Sequence, residues 1–167
     1  MYTHPGKKLN FMGNEIAQFR EWDEKREQDW QLIKMPLHDA FNKYIKRLNE
    51  VYNNYEALYE NEYDSRYFKW LEVNAPEKSV YIYERGRDDH RIKVALNFSD
   101  NEYAPFTFKV EEELRLREIV NSDSDIYGGS TWGMRSDVTT TKEDDYLYNL
   151  SINLKPFSGI IYEVVND

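Results

Sequence analysis

Six side chains able to take part in chemistry fall within the nine residues that follow Gly13: Asn14, Glu15, Gln18, Arg20, Glu21 and Trp22. Two amides, two carboxylates, a guanidinium and an indole are thereby gathered into one short stretch. Just upstream, Lys8 to Met12 is a mostly apolar run that reads as one buried strand. Gly13 then permits an abrupt change of backbone direction, since it carries no Cβ. A buried strand that ends at a glycine and opens into a polar, aromatic loop is how α/β barrels display their chemistry, with the loop facing the substrate. The same spacing also describes an ordinary polar turn. In that second reading Arg20 forms a structural salt bridge with Glu15 or Glu21.

Other chemistries find less support. His4, His38 and His90 lie far apart in sequence without metal-ligand spacing, so no dedicated metal site is expected. Tyr127-Gly-Gly-Ser130 is a glycine turn without the Lys-Ser/Thr of a phosphate-binding loop. No serine sits in a nucleophile-elbow context. The chain has no cysteine, which removes disulfides and thiol chemistry. No cofactor is implied. Aromatic residues are the second lead: they make up 16% of the chain, with 14 tyrosines and 4 tryptophans. Sugar rings stack their apolar faces on exposed aromatics while their hydroxyls bond nearby polar groups. Trp70, in an expected strand, and Trp132, in a glycine-containing loop, are the candidates for surface binding of a sugar chain. A strand tryptophan more commonly belongs to a core, and a loop tryptophan can be exposed without binding anything.

The bounds are those of a globular chain. Its 167 residues fit one domain or slightly more, with 40% hydrophobic and 32% charged residues. A net charge of −9 opposes nucleic acid and anionic membranes but raises no barrier to a neutral polysaccharide. No apolar run reaches the length of a membrane span, and residues 1–6 do not read as a signal peptide, so a cytoplasmic location is expected.

Two kinds of periodicity divide the chain. Residues 23–36 read as a loop with one short helix ending before Pro36. Leu37, Phe41, Tyr44, Ile45, Leu48, Val51, Tyr52 and Tyr55 then draw one apolar stripe along a helix. From residue 67 the period becomes two. Strands are expected over Tyr67 to Val73, Ser79 to Glu84, Ile92 to Phe98, Phe106 to Val110, Leu114 to Val120, Leu147 to Leu154 and Gly159 to Val165. Asn74 to Glu77, Arg85 to Asp89 and Ser99 to Glu102 read as turns, and Asp123 to Asp145 as an extended loop. Short strands with turns at this spacing argue for an antiparallel β-sandwich, so the fold is expected to be mainly β.

The order of rare residues adds a family resemblance. Pro5-Gly6-Lys7-Lys8-Leu9, Phe11-Met12-Gly13-Asn14-Glu15, Gln18, Arg20-Glu21-Trp22 and Asp29-Trp30 resemble the 1,4-α-glucan branching enzymes of the α-amylase superfamily. The register continues through Pro36-Leu37-His38, Leu48-Asn49, Val80 to Arg85, Asn97-Phe98-Ser99, Asn121-Ser122-Asp123, Tyr127 to Ser130, Leu150 to Pro156 and Ser158. Thr131-Trp132 departs from the glycine that usually continues Gly-Gly-Ser in the family. What the chain resembles is the C-terminal part of such an enzyme. The resemblance implies residues 1–58 as the last strand, loop and helix of a TIM barrel, followed by a β-sandwich domain over 59–167.

That resemblance also implies which chemistry is missing. Retaining glycosidases and transglycosidases need two carboxyl groups across one glycosidic bond. The family's motifs for them, from the middle strands of the barrel, do not occur here in their proper context. His38-Asp39 spells one dipeptide but lies in the expected helix. No catalytic residue is therefore assigned. With the barrel completed, Asn14, Glu15, Arg20 and Trp22 would line the substrate cleft. Three roles remain open: a non-catalytic part of a branching enzyme acting on glycogen or amylose, a stand-alone α-glucan-binding module, or a domain that stabilises the rest of the barrel. The Phe41 to Tyr55 stripe needs a partner surface, which is the β-domain, the rest of the barrel or a second copy by self-association.

Overall fold

The computed structural model describes residues 1–73, 76–133 and 136–165. Helix α1 spans Pro36–Asn54. Among the described residues nine strands follow: β1 Phe68–Glu72, β2 Val80–Arg87, β3 His90–Asn97, β4 Tyr103–Val110, β5 Arg115–Asn121, β6 Val138–Thr139, β7 Thr141–Lys142, β8 Tyr148–Leu154 and β9 Gly159–Val165. They build a six-stranded sheet in the order β1-β2-β3-β9-β5-β6 and a three-stranded sheet in the order β4-β8-β7. Every pairing between these strands is antiparallel.

Alternation explains which side chains enter the core. In β4, Phe106, Phe108 and Val110 are buried while Thr107 and Lys109 are exposed; in β8, Leu150, Ile152 and Leu154 are buried opposite them. These residues meet Val80, Ile82, Leu116, Tyr162 and Val164 of the larger sheet in one sandwich core. Strand β9 reads as a nearly continuous apolar run because the larger sheet is covered on both faces. Ile160, Tyr162 and Val164 face the sandwich, and Ile161 faces a second core.

That second core belongs to α1. Pro36 occupies its first turn, where a missing N–H costs nothing. Ile45, Leu48 and Val51 then bury their stripe against Tyr83, Ile92, Val94, Ile119 and Ile161. Phe41, Tyr44, Tyr52 and Tyr55 flank the contact, partly buried. Layers therefore run helix, six-stranded sheet, three-stranded sheet. The stripe packs on the larger sheet of the same chain, one of the three partner surfaces expected for it.

Other expectations change too. Lys8 to Met12 does not form a strand. A barrel strand needs neighbours to accept and donate its backbone hydrogen bonds, and here the segment runs irregularly with Leu9 73% and Phe11 50% exposed. The β2–β3 hairpin is tighter than expected, because pairing continues to Arg87 and His90 and leaves only Asp88 and Asp89 in the turn. Strands β6 and β7 lie within the stretch taken as a loop, and the β-branched run Thr139-Thr-Thr141 was their signal. The expected turn at Asn74 to Glu77 lies partly outside the described residues; Pro76–Lys78 is a 3-10 turn.

Candidate functional site

The polar loop after Gly13 is built from α1 outward. Gly13 has φ 88° and leads into a 3-10 turn over Asn14–Ile16, whose Ile16 is fully buried. Two buried helix side chains grip this turn. The Nδ2 of Asn42 donates to the Glu15 carbonyl at 2.8 Å, and the Nδ1 of His38 lies 2.8 Å from the Ile16 carbonyl. The Glu15 carboxylate folds back to accept from the Gly13 amide at 3.1 Å.

Arg20 finds a different partner from either carboxylate expected. Its Nε donates to both carboxylate oxygens of Asp29, at 3.1 and 3.0 Å, and its Nη2 bonds the Glu27 carbonyl. Gln18 completes the link, accepting from the Asp29 amide at 2.9 Å and donating to the Arg20 carbonyl at 3.1 Å. Arg20 thus closes the loop over residues 20–29, and Glu21 stays exposed outside this network. Trp22 packs edge-on against Phe11 at 5.7 Å between ring centroids. Asn14 is exposed. The structure brings the four candidates onto one loop system. Glu15 and Arg20 each hold backbone in place there, and Asn14 and Trp22 are left on the surface.

Trp70 and Trp132 do not share a site. Trp70 lies on the helix-side face of β1, outside the sandwich core, and is 43% exposed. Its ring meets Phe68 edge-on at 5.1 Å and Tyr83 at 5.5 Å, and is tilted towards Tyr81 at 6.4 Å. Tyr81 in turn meets Phe98 at 5.9 Å. Trp132 is 82% exposed and sits just beyond a tightly bonded loop. There the Asp123 carboxylate accepts from Ser130 Oγ at 2.8 Å and Thr131 Oγ1 at 2.7 Å. Burial pushes that carboxyl up, but these hydroxyls and the Ser130 backbone outweigh it and hold its pKa below the ordinary value. Gly129 passes so close that a Cβ would meet the Asp123 carbonyl at 2.1 Å.

The role of the first residues was not legible in the sequence. Thr3 Oγ1 lies 2.6 Å from the Tyr83 hydroxyl, and the Thr3 carbonyl accepts from Nη1 of buried Arg85 at 2.9 Å. His4 rests against Phe68 and Tyr83. Lys8 anchors the segment on the buried carboxylate of Glu62 at 3.0 Å. No periodicity marks such a contact, because it is made by irregular chain. Among the described residues, no group of three or more His, Cys, Asp or Glu side chains is placed to hold a metal ion. No helix there is long and apolar enough to cross a membrane.

Comparison with known proteins places these features. The family described as "Alpha amylase, C-terminal all-beta domain" matches residues 70–165. The 1,4-α-glucan branching enzyme GlgB of Oceanobacillus iheyensis is 41% identical over 132 residues, covering 78% of this chain and 21% of that protein. Its counterpart in Rhodopseudomonas palustris is 37% identical over 162 residues, covering 96% of the chain and 22% of the relative. That of Salinibacter ruber is 36% identical over 165 residues, 98% of the chain and 26% of the relative. The chain thus spans about a quarter or less of the length of the curated relatives it matches. With its helix-backed antiparallel sandwich, the chain belongs to the α-amylase C-terminal all-β domain family, in the form found in 1,4-α-glucan branching enzymes.

Proposed function

We propose that this chain works as the non-catalytic C-terminal part of a 1,4-α-glucan branching enzyme in the cytoplasm. The complete enzyme would move a segment of α-1,4-glucan onto a 6-hydroxyl. The bond from C1 to O4 breaks, a bond from C1 to O6 forms, and the acceptor's hydroxyl proton ends on the released 4-hydroxyl. Two carboxyl groups must flank that C1, and the motifs that the resemblance implies for them do not occur in this chain in their proper context. Within the complete enzyme, residues 1–58 would close the catalytic barrel and 59–167 would form the supporting β-domain. Asn14, Glu15, Arg20 and Trp22 would then line the cleft, Arg20 through the loop it braces on Asp29.

The observation that carries this reading is the unbroken match of 96–98% of the chain to 22–26% of branching-enzyme sequences, across both the helical part and the sandwich. An immunoblot of the source cells with antibody against this chain should show one band several times heavier than the chain itself. A band at the chain's own mass would overturn the reading. In parallel, the isolated chain should leave the α-1,6 content of amylose unchanged by proton NMR. A rise that Glu15→Gln abolishes would place the chemistry in this chain after all.

A further inference from the structure

The carboxylate of Glu62 is shared by two cations that hold the first residues of the chain. Lys8 Nζ donates to it at 3.0 Å, and the guanidinium of Arg85, which donates to the Thr3 carbonyl, lies within its field. The Lys8 ammonium also donates to the carbonyls of His4 and Gly6, at 2.7 and 2.6 Å, so each of its three protons has an acceptor. Asn61 turns the chain just before Glu62, in a left-handed conformation at φ 50° that asparagine tolerates. We propose that Glu62, acting through Lys8, is a positioning residue: it sets the register of Leu9 to Met12 and, with it, the placement of the loop from Gly13 to Trp22. The proposal deepens the functional reading above and rests on it, since that loop lines a cleft only in the complete enzyme.

Burial makes the contact selective. The Glu62 side chain is almost wholly buried and that of Lys8 largely so, whereas Lys7 is exposed and reaches the second carboxylate oxygen only at 4.0 Å. One lysine of the adjacent pair therefore takes the seat. A slip by one residue would bring Lys7 or Leu9 to that place and turn every side chain of the following segment to its other face. Without Glu62, Lys8 and Arg85 would lose the carboxylate that balances them. The ammonium would then gain by leaving for water, releasing the carbonyls of His4 and Gly6.

The segment carries that placement into the loop. Two anchors hold it on α1: Lys8 Nζ stands 5.2 Å from the centre of the Tyr52 ring, and Asn42 and His38 grip the carbonyls of Glu15 and Ile16. From Tyr52 to Asn42 the helix runs about 15 Å. Between the anchors Leu9, Phe11 and Met12 are exposed, and no strand pairs with them among the described residues. The Asn14 amide donates to the Phe11 carbonyl at 3.0 Å, and the Phe11 ring meets Trp22 edge-on. A shift of Phe11 therefore reaches both Asn14 and Trp22.

The test is hydrogen exchange and NMR of the full, isotope-labelled chain. In Glu62→Gln the Asn14 amide should exchange at least tenfold faster and the Trp22 indole signal should shift, while the amides of β8 stay as they were. Lys8→Met should do the same, and the two substitutions together should do no more than the larger of them alone, because one acts through the other. Tyr63→Ala, which alters an exposed neighbour of Glu62, should change neither signal. A merely stabilising role would speed exchange in β8 as well and leave the Trp22 indole in place. That pattern would overturn the proposal, as would an unchanged Asn14 amide in Glu62→Gln or additive effects in the double variant. Should Glu62→Gln fail to fold by circular dichroism, Lys8→Met decides, and unchanged Asn14 and Trp22 signals in it count against the assignment. A light band on the immunoblot would leave the exchange result standing, and unchanged exchange would leave the blot standing.

Discussion

Arg85 shows how one side chain joins parts of this molecule that sequence patterns treat separately. It lies in β2 with 1% of its surface exposed, and its guanidinium donates to the Thr3 carbonyl at 2.9 Å and the Leu58 carbonyl at 3.4 Å. Burial draws its pKa down while the Glu62 carboxylate opposes that shift. A planar fork can reach two carbonyls at once, which an ammonium on a flexible stem does poorly. Arg85→Lys should therefore lower the unfolding free energy by about 1–3 kcal/mol, the cost of leaving buried acceptors unpaired. Urea denaturation gives that number, and hydrogen exchange at Thr3 should rise in step if the N-terminal segment comes loose. An unchanged midpoint would mean that water serves these carbonyls equally well. Arg20 carries the same lesson at the candidate site. The sequence offers Glu15 and Glu21 as nearby carboxylates, but the partner is Asp29, nine residues on, because the chain loops back to present it. Residue types were legible there, and partners were not.

At the scale of elements, what could be read was whatever buries a periodic face. Helix α1 and strands β1 to β5, β8 and β9 each carry an apolar pattern matched to their geometry, so their existence followed from spacing alone. Elements without such a face escaped. Lys8 to Met12 has a strand's composition, but pairing depends on neighbours that local sequence does not describe. The two-residue strands β6 and β7 are too short to repeat anything. The loop from Asp123 to Thr131 is held by polar bonds, so it should respond to pH. The Asp123 carboxyl has a lower pKa folded than its ordinary 3.8. Its contribution is therefore present above 3.8 and lost as pH falls through the folded value. Carbon-13 titration of this carboxyl should give a midpoint below 3.8, and Thr131→Val should move it upward by removing one hydroxyl donor. A midpoint at or above 3.8 would mean that burial outweighs the hydroxyls.

The whole molecule distributes its apolar surface unevenly. Two cores are filled, one between the sheets and one beneath α1. Yet Leu9, Phe11, Met12, Phe19, Trp22, Trp30, Met35 and Leu37 all remain exposed, within a stretch of 29 residues. Scattered exposed apolar residues are ordinary, but a concentration of them in one segment marks a surface built to be covered. On the proposed function, the cover is the rest of the barrel. These side chains then contribute little to the stability of this chain by itself, because their burial comes only with the remainder of the enzyme. Leu9→Ser, Phe19→Ser and Met35→Ser combined should reduce the binding of a hydrophobic dye and any self-association seen by sedimentation. The melting temperature should change little, since exposed substitutions usually alter stability by no more than about 0.5 kcal/mol each. A drop well beyond the sum of such effects would mean that this segment already packs into the chain's own core. Retained stability with lower dye binding would show that these side chains form an apolar surface outside the chain's own cores.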